Sequence, residues 1–209
     1  MTRPGYAPDG HATAPVAADT LPSWDLTDLY PAPDSPRLVA DMDRTEARAK
    51  AFKAARAGTL AALPGAELAA VLAEFEMIEE VLGRLMSYAQ LQFSTDSNDP
   101  AIGRFYQSVS ERVTSISSHL IFLSLELNRM DDAVLDAKLA DPALARWSPW
   151  LRDLRVFRPH ELTDDLERLL HEKEVTGRNA WSRLFDETVA GMRVPVRGED
   201  LTVSAALNK

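Results

Sequence analysis

The chain has 209 residues, 45% of them hydrophobic and 26% charged, with a formal net charge of −9 and no cysteine. That length and mix suit one globular domain with a well-buried core, not a disordered or fibrous chain. The acidic balance, with a pI near 5.0, argues against a binder of nucleic-acid backbones, which needs a basic face to displace counterions. Lack of cysteine removes disulfides, thiolate nucleophiles and cysteine-held zinc together, and fits a reducing cytoplasm.

Residues 1–20 are rich in Ala, Pro, Thr and Gly, offer almost nothing to bury and read as a flexible tail that includes His11. The start lacks an apolar run of signal-peptide length and no later run approaches a bilayer span, so neither secretion nor membrane insertion is expected. Trp24, Leu26, Leu29 and Tyr30 then gather apolar area in a turn-like segment, an arm pinned onto the domain by its aromatics.

Ser35 and Pro36 pair an N-cap with a first-turn proline and predict a helix to about Ala57, closed by Gly58. Its apolar residues Val39, Met42, Ala49 and Phe52 are sparse, which places it on the surface. A stronger stripe runs over 66–93, through Leu68, Val71, Leu72, Phe75, Ile78, Leu82, Leu85 and Tyr88. The same helix carries Glu74, Glu76, Glu79 and Glu80. No histidine accompanies them and Glu80 stands four before Arg84, so they read as a solvated acidic face instead of a bundle di-metal site.

A polar loop over 94–98 leads to Asp99-Pro100 and a second long helix reaching about Asn128; so short a loop makes the two antiparallel. His119, late in that helix, reads as a hydrogen-bonded packing histidine. A nucleophilic site would need it to face Ser115, Ser117 or Ser118 beside an orienting acid, and helix neighbours do not face each other. Residues 131–139 make a shorter helix. Asp141-Pro142 opens another that carries Trp147, Trp150, Leu151 and Leu154, interrupted or kinked at Pro149. Trp147, Trp150 and Phe157 read as a core or interdomain cluster, with a peptide groove as the alternative.

Residues 163–189 mix helix grammar with metal-like dipeptides. Thr163 serves as an N-cap with Asp164 and Asp165 in the first turn. Leu162, Leu166, Leu169 and Leu170 form a stripe expected to face a core, Gly177 ends that run, and Ala180, Trp181, Leu184, Phe185 and Val189 are expected on the buried side of a second helix. His171-Glu172 invites an HExxH zinc reading, in which two imidazoles sit one turn apart on one helical face. Four positions on stands Val175, which cannot ligate. His160-Glu161 meets Asp164 at that position, across a turn after Pro159 that breaks the helix. No residue is therefore assigned a catalytic, cofactor-binding or metal-binding role. Residues 192–196 and 201–203 alternate around a turn at 197–200 and predict a β-hairpin with Pro195 on an edge strand. Ser204 caps a helix that has barely begun by Lys209, as expected for the front part of something longer.

In order and spacing these features resemble the N-terminal region of the oligoendopeptidase F-like zinc metallopeptidases of the thimet-oligopeptidase-like family. The matching residues are Trp24 through Tyr30, the acidic helix around Glu74 to Glu80, the run from Leu170 through Glu187, and the hairpin with Leu201 through Leu207. The resemblance implies a mainly α fold, an antiparallel helical bundle-like N-terminal domain over 21–190. A small β-hairpin and the start of a helix over 191–209 then lead to a catalytic domain that this sequence stops before. It implies a zinc metalloendopeptidase that hydrolyses short peptides in a deep channel. One zinc is held by an HExxH helix and a later glutamate, all in the family's C-terminal part. This chain is then expected to be a non-catalytic, cytoplasmic part that contributes to the substrate channel and is inactive alone. Its partners would be the C-terminal catalytic domain and short peptides, with no nucleic acid and no membrane; zinc belongs to the full-length family and none to this chain. A free-standing acidic helical protein-interaction module is the alternative.

Overall fold

Ser35 accepts a hydrogen bond from the Leu38 amide and Pro36 occupies the first turn, which starts α1 (Pro36–Arg56). A computed structural model of the protein describes residues 25–209. The expected tail over 1–20 and Trp24 of the expected arm lie outside the described residues. The rest of that arm is anchored by Tyr30, which is fully buried. Its ring meets Tyr88 edge-on at 5.5 Å and its hydroxyl donates to Asp41 at 3.0 Å. Burial, helped by that carboxylate, pushes the Tyr30 phenol up to about 12.

Contrary to the surface placement expected for it, α1 packs into the core. Leu38, Met42, Thr45, Ala49 and Phe52 are buried at alternating spacings of four and three, while Val39 is exposed. The true stripe begins one residue earlier than Val39 and includes Thr45, whose hydroxyl is satisfied by the Asp41 carbonyl at 2.7 Å. A polar residue with a local acceptor can thus sit in a core stripe that a count of apolar residues undervalues.

The next helices are α2 (Gly65–Thr95) and α3 (Pro100–Ser117), the latter capped by Asp99 accepting from the Ala101 amide at 2.7 Å. They run antiparallel, as the short connection requires. Tyr88 meets Phe105 at 5.9 Å and Phe93 stacks on Tyr106 at 5.0 Å. Leu68, Leu72, Ile78, Leu82 and Leu85 of α2 form the spine of the core. Arg112 of α3 bridges to Asp43 and Glu46 of α1, both at 2.9 Å, and closes a three-helix body.

The single helix expected from Pro100 to Asn128 is instead two. α3 stops at Ser117, and α4 (Ile121–Arg129) follows a turn at 118–120. The cause is local: the Ser117 and Ser118 hydroxyls bond back to the Thr114 and Ser115 carbonyls, and the His119, Leu120 and Leu123 amides take carbonyls three residues back. Serine side chains competing for backbone acceptors tighten the turn and end the α pattern.

After α5 (Asp132–Leu139), the expected helix from Asp141 also divides, into a 3-10 turn over Pro142–Trp147 and α6 (Ser148–Arg155). Pro149 stands in the first turn of α6, where it has no amide to lose, so it starts that helix and does not kink one. Trp147 is buried and Trp150 lies 6.2 Å from Phe75. Phe157 leaves the expected cluster and is 66% exposed. Arg155 joins α6 to the end of α4, donating to the Leu127 and Met130 carbonyls at 2.8 and 2.9 Å and pairing with Asp132.

The chain closes with α7 (Asp164–Lys173), α8 (Arg178–Gly191), strands β1 (Val194–Val196) and β2 (Glu199–Leu201), and α9 (Val203–Leu207). At the link between α7 and α8, a Cβ on Gly177 would lie 2.8 Å from the Lys173 carbonyl oxygen, closer than a side chain tolerates. The strands pair Val194 with Leu201 and Val196 with Glu199. Their turn is two residues, Arg197 and Gly198, both at positive φ, so the expected four-residue turn is shorter and Glu199 and Asp200 belong to a strand. Thr202, not Ser204, caps α9, accepting from the Ala205 amide at 3.3 Å. The fold is thus mainly α with a two-stranded antiparallel sheet near the C-terminus. No described helix is long and apolar enough to cross a membrane.

Candidate functional site

Helices α2, α3 and α7 converge where His171 Nε2 lies 2.7 Å from Ser117 Oγ. The Ser117 hydroxyl has the Thr114 carbonyl within 3.2 Å as its own acceptor. The network closes when Oγ donates to that carbonyl and His171 Nε2–H donates to Oγ. With that tautomer the serine proton is committed to the helix and the imidazole gives a hydrogen bond instead of accepting one; no carboxylate hydrogen-bonds to His171 among the described residues to complete a triad. Glu79 of α2 faces the same junction. It keeps substantial solvent exposure, yet burial among the surrounding helices pushes its carboxyl above the ordinary value, with the neighbouring His171 drawing it back. Sequence reasoning weighed Ser117 against His119, the wrong histidine. No local signal could have found the right one, since the partners are 54 positions apart. His119 makes no side-chain hydrogen bond among the described contacts and is half-buried. Burial, then Lys53 and Lys50, hold its imidazole below the usual value.

Neither His-Glu pair is arranged to hold zinc. His171 turns Nε2 to Ser117 and has Val175 one turn on. His160 is exposed in a 3-10 turn, and both Glu161 and Asp164 are taken by Arg129. Among the described residues no group of three or more His, Asp or Glu stands where it could hold a metal ion.

The acidic face of α2 is more engaged than its sequence suggests. Glu80 pairs with Arg84 at 3.1 Å as its spacing predicts, and Glu74 lies 3.6 Å from Arg48. Glu76 receives the Trp147 indole N–H at 2.7 Å and Arg146 at 2.6 Å, while Arg146 stacks over the Trp147 ring at 4.5 Å. This clasp fixes Trp147 and leaves a shallow slot of 240 Å³ floored by Leu72 and Phe75.

A larger cleft of 530 Å³, lined mostly by charged and polar residues, separates α3 from α8. Arg183 of α8 donates to Gln107 Oε1 at 2.6 Å and pairs with Glu187 at 2.9 Å. Gln107 Nε2 in turn donates to Glu111 at 2.7 Å. Arg104, one turn before Ser108 on the same wall, makes no ion pair or hydrogen bond among the described residues.

The stretch from the end of α4 through α8, which carries His171 and Arg183, is a recognisable segment. Residues 126–193 match the family model for oligopeptidase F. The match bears out the resemblance to the N-terminal region of an oligoendopeptidase F-like peptidase, over less than half of the chain. No curated protein and no solved structure matches.

The matched segment contains the least buried part of the fold. Neither α7 nor α8 has a buried residue, so the stripes expected to face a core are exposed instead, apart from the half-buried Val189. Leu166, Leu169 and Leu170 of α7 and Trp181, Leu184 and Phe185 of α8 all face water, Trp181 at 71% and Phe185 at 67% exposure. Polar tethers do the holding: Arg129 to Glu161, Asp164 and the Leu162 carbonyl, His171 to Ser117, and Arg183 to Gln107. The periodicity of an amphipathic helix was legible, but periodicity does not say whether the partner of an apolar face lies in the same body.

Proposed function

We propose that this chain is the non-catalytic helical part of an oligoendopeptidase F-like zinc metalloendopeptidase that hydrolyses short peptides. It would contribute one wall of the substrate channel, and the apolar faces of α7 and α8 would pack against the catalytic domain. The observation that carries this reading is the row of exposed Leu, Trp and Phe side chains inside the segment that matches oligopeptidase F. Rows of large apolar residues on adjoining helices mark an interaction surface, and covering the exposed half of such a side chain stabilises a complex by about 1 kcal/mol. Zinc and the hydrolytic residues would then come from the partner. The cysteine-free sequence suits a cytoplasmic setting. A free-standing interaction module is the weaker reading, because a module that stays soluble by itself is not expected to expose so large an apolar face.

The test is to produce the chain alone and together with an oligopeptidase F catalytic part carrying HExxH. The expected result is a stable complex that loses the dye binding shown by the chain alone and cleaves a quenched fluorescent peptide in a chelator-sensitive manner, while the chain alone does not cleave. Failure of the two parts to associate, or zinc-dependent cleavage by the chain alone, would sink the proposal.

A further inference from the structure

We infer that the chain from Val156 onward is a strap that opens from the rest of the fold as one unit, hinged at 156–161 and latched by Arg129. This goes beyond the proposed role in a zinc peptidase and does not rest on it, since opening needs neither a catalytic domain nor a metal.

Three observations carry the assignment. The first is burial. Leu151 is the last buried residue of the chain, so the segment with α7, α8, the hairpin and α9 contributes no side chain to the core. A unit with so few buried apolar contacts opens at the low end of the range of local free energies. The second is the connection. From Val156 to Glu161 the backbone is held by carbonyls three residues back: Val156 by Asp153, Phe157 by Leu154, His160 by Phe157 and Glu161 by Arg158. Such bonds have poorer geometry than those of an α-helix and mark hinges within helical runs. Val156 and Phe157 are exposed there, while Arg155, just before them, is fixed to the Leu127 and Met130 carbonyls. The Arg158 to Asp132 pair at 3.0 Å spans the bend but lies in water, where it adds little. Bending at this connection therefore leaves the anchored end of α6 in place.

The third is the latch. Arg129 of α4 spends its guanidinium on three acceptors at the start of the strap: Glu161, Asp164 and the Leu162 carbonyl. A planar fork that grips two carboxylates and a carbonyl fixes position better than the single contacts further along, His171 to Ser117 and Arg183 to Gln107. Closure also carries a cost. The Glu161 side chain is only 10% exposed, and its Oε2 is buried with no hydrogen-bond partner among the described residues. Opening returns that oxygen to water. The closed position is thus held by charge and opposed by desolvation, a balance that ionic strength shifts.

The experiment is amide hydrogen exchange on the full chain, read by mass spectrometry at about 0.01 M and 1 M NaCl, between which the screening length falls from about 30 Å to 3 Å. Parent, Arg129→Ala, Arg129→Lys and Arg168→Ala are compared. Arg168 pairs with Asp165 inside α7, so its removal controls for charge alone. Helices of 10 and 14 residues are marginal by themselves, so an open strap exchanges along both. In the parent, exchange over 164–191 is expected to quicken about threefold or more at high salt, by the same factor in α7 and α8, while α2 keeps its protection. Arg129→Ala should quicken both helices at low salt and flatten the salt response. Arg129→Lys should do so in part, and Arg168→Ala should leave both unchanged. Acceleration confined to 161–167, no salt response in the parent, or equal effects of Arg129→Ala and Arg168→Ala would overturn the inference. So would loss of α2 protection in step with α7 and α8 in the parent, because the segment would then open only with the core. None of these results depends on association with a catalytic part, so that association can fail without altering them.

Discussion

His171 and Ser117, 54 positions apart, meet at 2.7 Å and join the last turn of α7 to the end of α3. This is one of few contacts that hold a helix with no buried residue of its own. Ser117→Ala leaves a half-buried imidazole without its partner and is expected to cost about 0.5–1.5 kcal/mol, read as a lower urea midpoint. Amide exchange should quicken across α7 while α2 stays protected. Uniform acceleration through α2 would show that the contact belongs to the core.

A second expectation concerns acidity. The Glu79 carboxyl titrates above its ordinary value because burial disfavours its charged form. The folded protein therefore holds that proton more tightly than the unfolded chain does. The contribution of Glu79 to stability is fully present below the unfolded-state carboxyl pKa and is lost as pH rises through the folded one. Glu79→Gln should remove this part of the pH dependence and leave the protein at least as stable as the parent at neutral pH. A variant with an unchanged stability-versus-pH curve would contradict the assignment.

Leu85 and Leu169 separate the core from the exposed face. Leu85 is fully buried in α2, and Leu169 is 47% exposed in α7. Leu85→Ala should cost about 2–5 kcal/mol, measured by urea unfolding. Leu169→Ser should change stability by no more than about 0.5 kcal/mol while lowering binding of an apolar fluorescent dye. A large loss of stability at Leu169 would mean that the face is covered within this chain.

Gly177 provides a local test of the link between α7 and α8. Gly177→Ala brings a methyl carbon within 2.8 Å of the Lys173 carbonyl oxygen and should destabilise that link by about 1–3 kcal/mol. The signature is faster exchange over 164–191 with little change in the unfolding midpoint of the three-helix body. A variant as protected as the parent would mean that the backbone relaxes at no cost.

What could be read before the fold was known followed the range of the forces involved. Capping by Ser35, Asp99 and Asp141 depends on neighbours two or three residues away, and those helix starts were legible, as was the long stripe of α2. The break after Ser117 was also local, encoded in a serine run whose hydroxyls compete with the backbone, but a periodic apolar pattern running through it concealed the interruption. Three features lay beyond reach: His171 choosing Ser117, Arg183 orienting Gln107, and Leu166, Leu169 and Leu170 remaining in water. Each depends on which surfaces come together in space, and spacing along one helix carries no information about that.

The uneven distribution of burial has a consequence for synthesis. The apolar contacts of the core join α1 through α6, so a nascent chain can complete its three-helix body before the last helices leave the ribosome, as domains forming from the N-terminus do. The segment that follows would emerge onto a finished platform with its leucines and tryptophan uncovered. Chaperone recognition of this protein should therefore concentrate on its late-emerging helices.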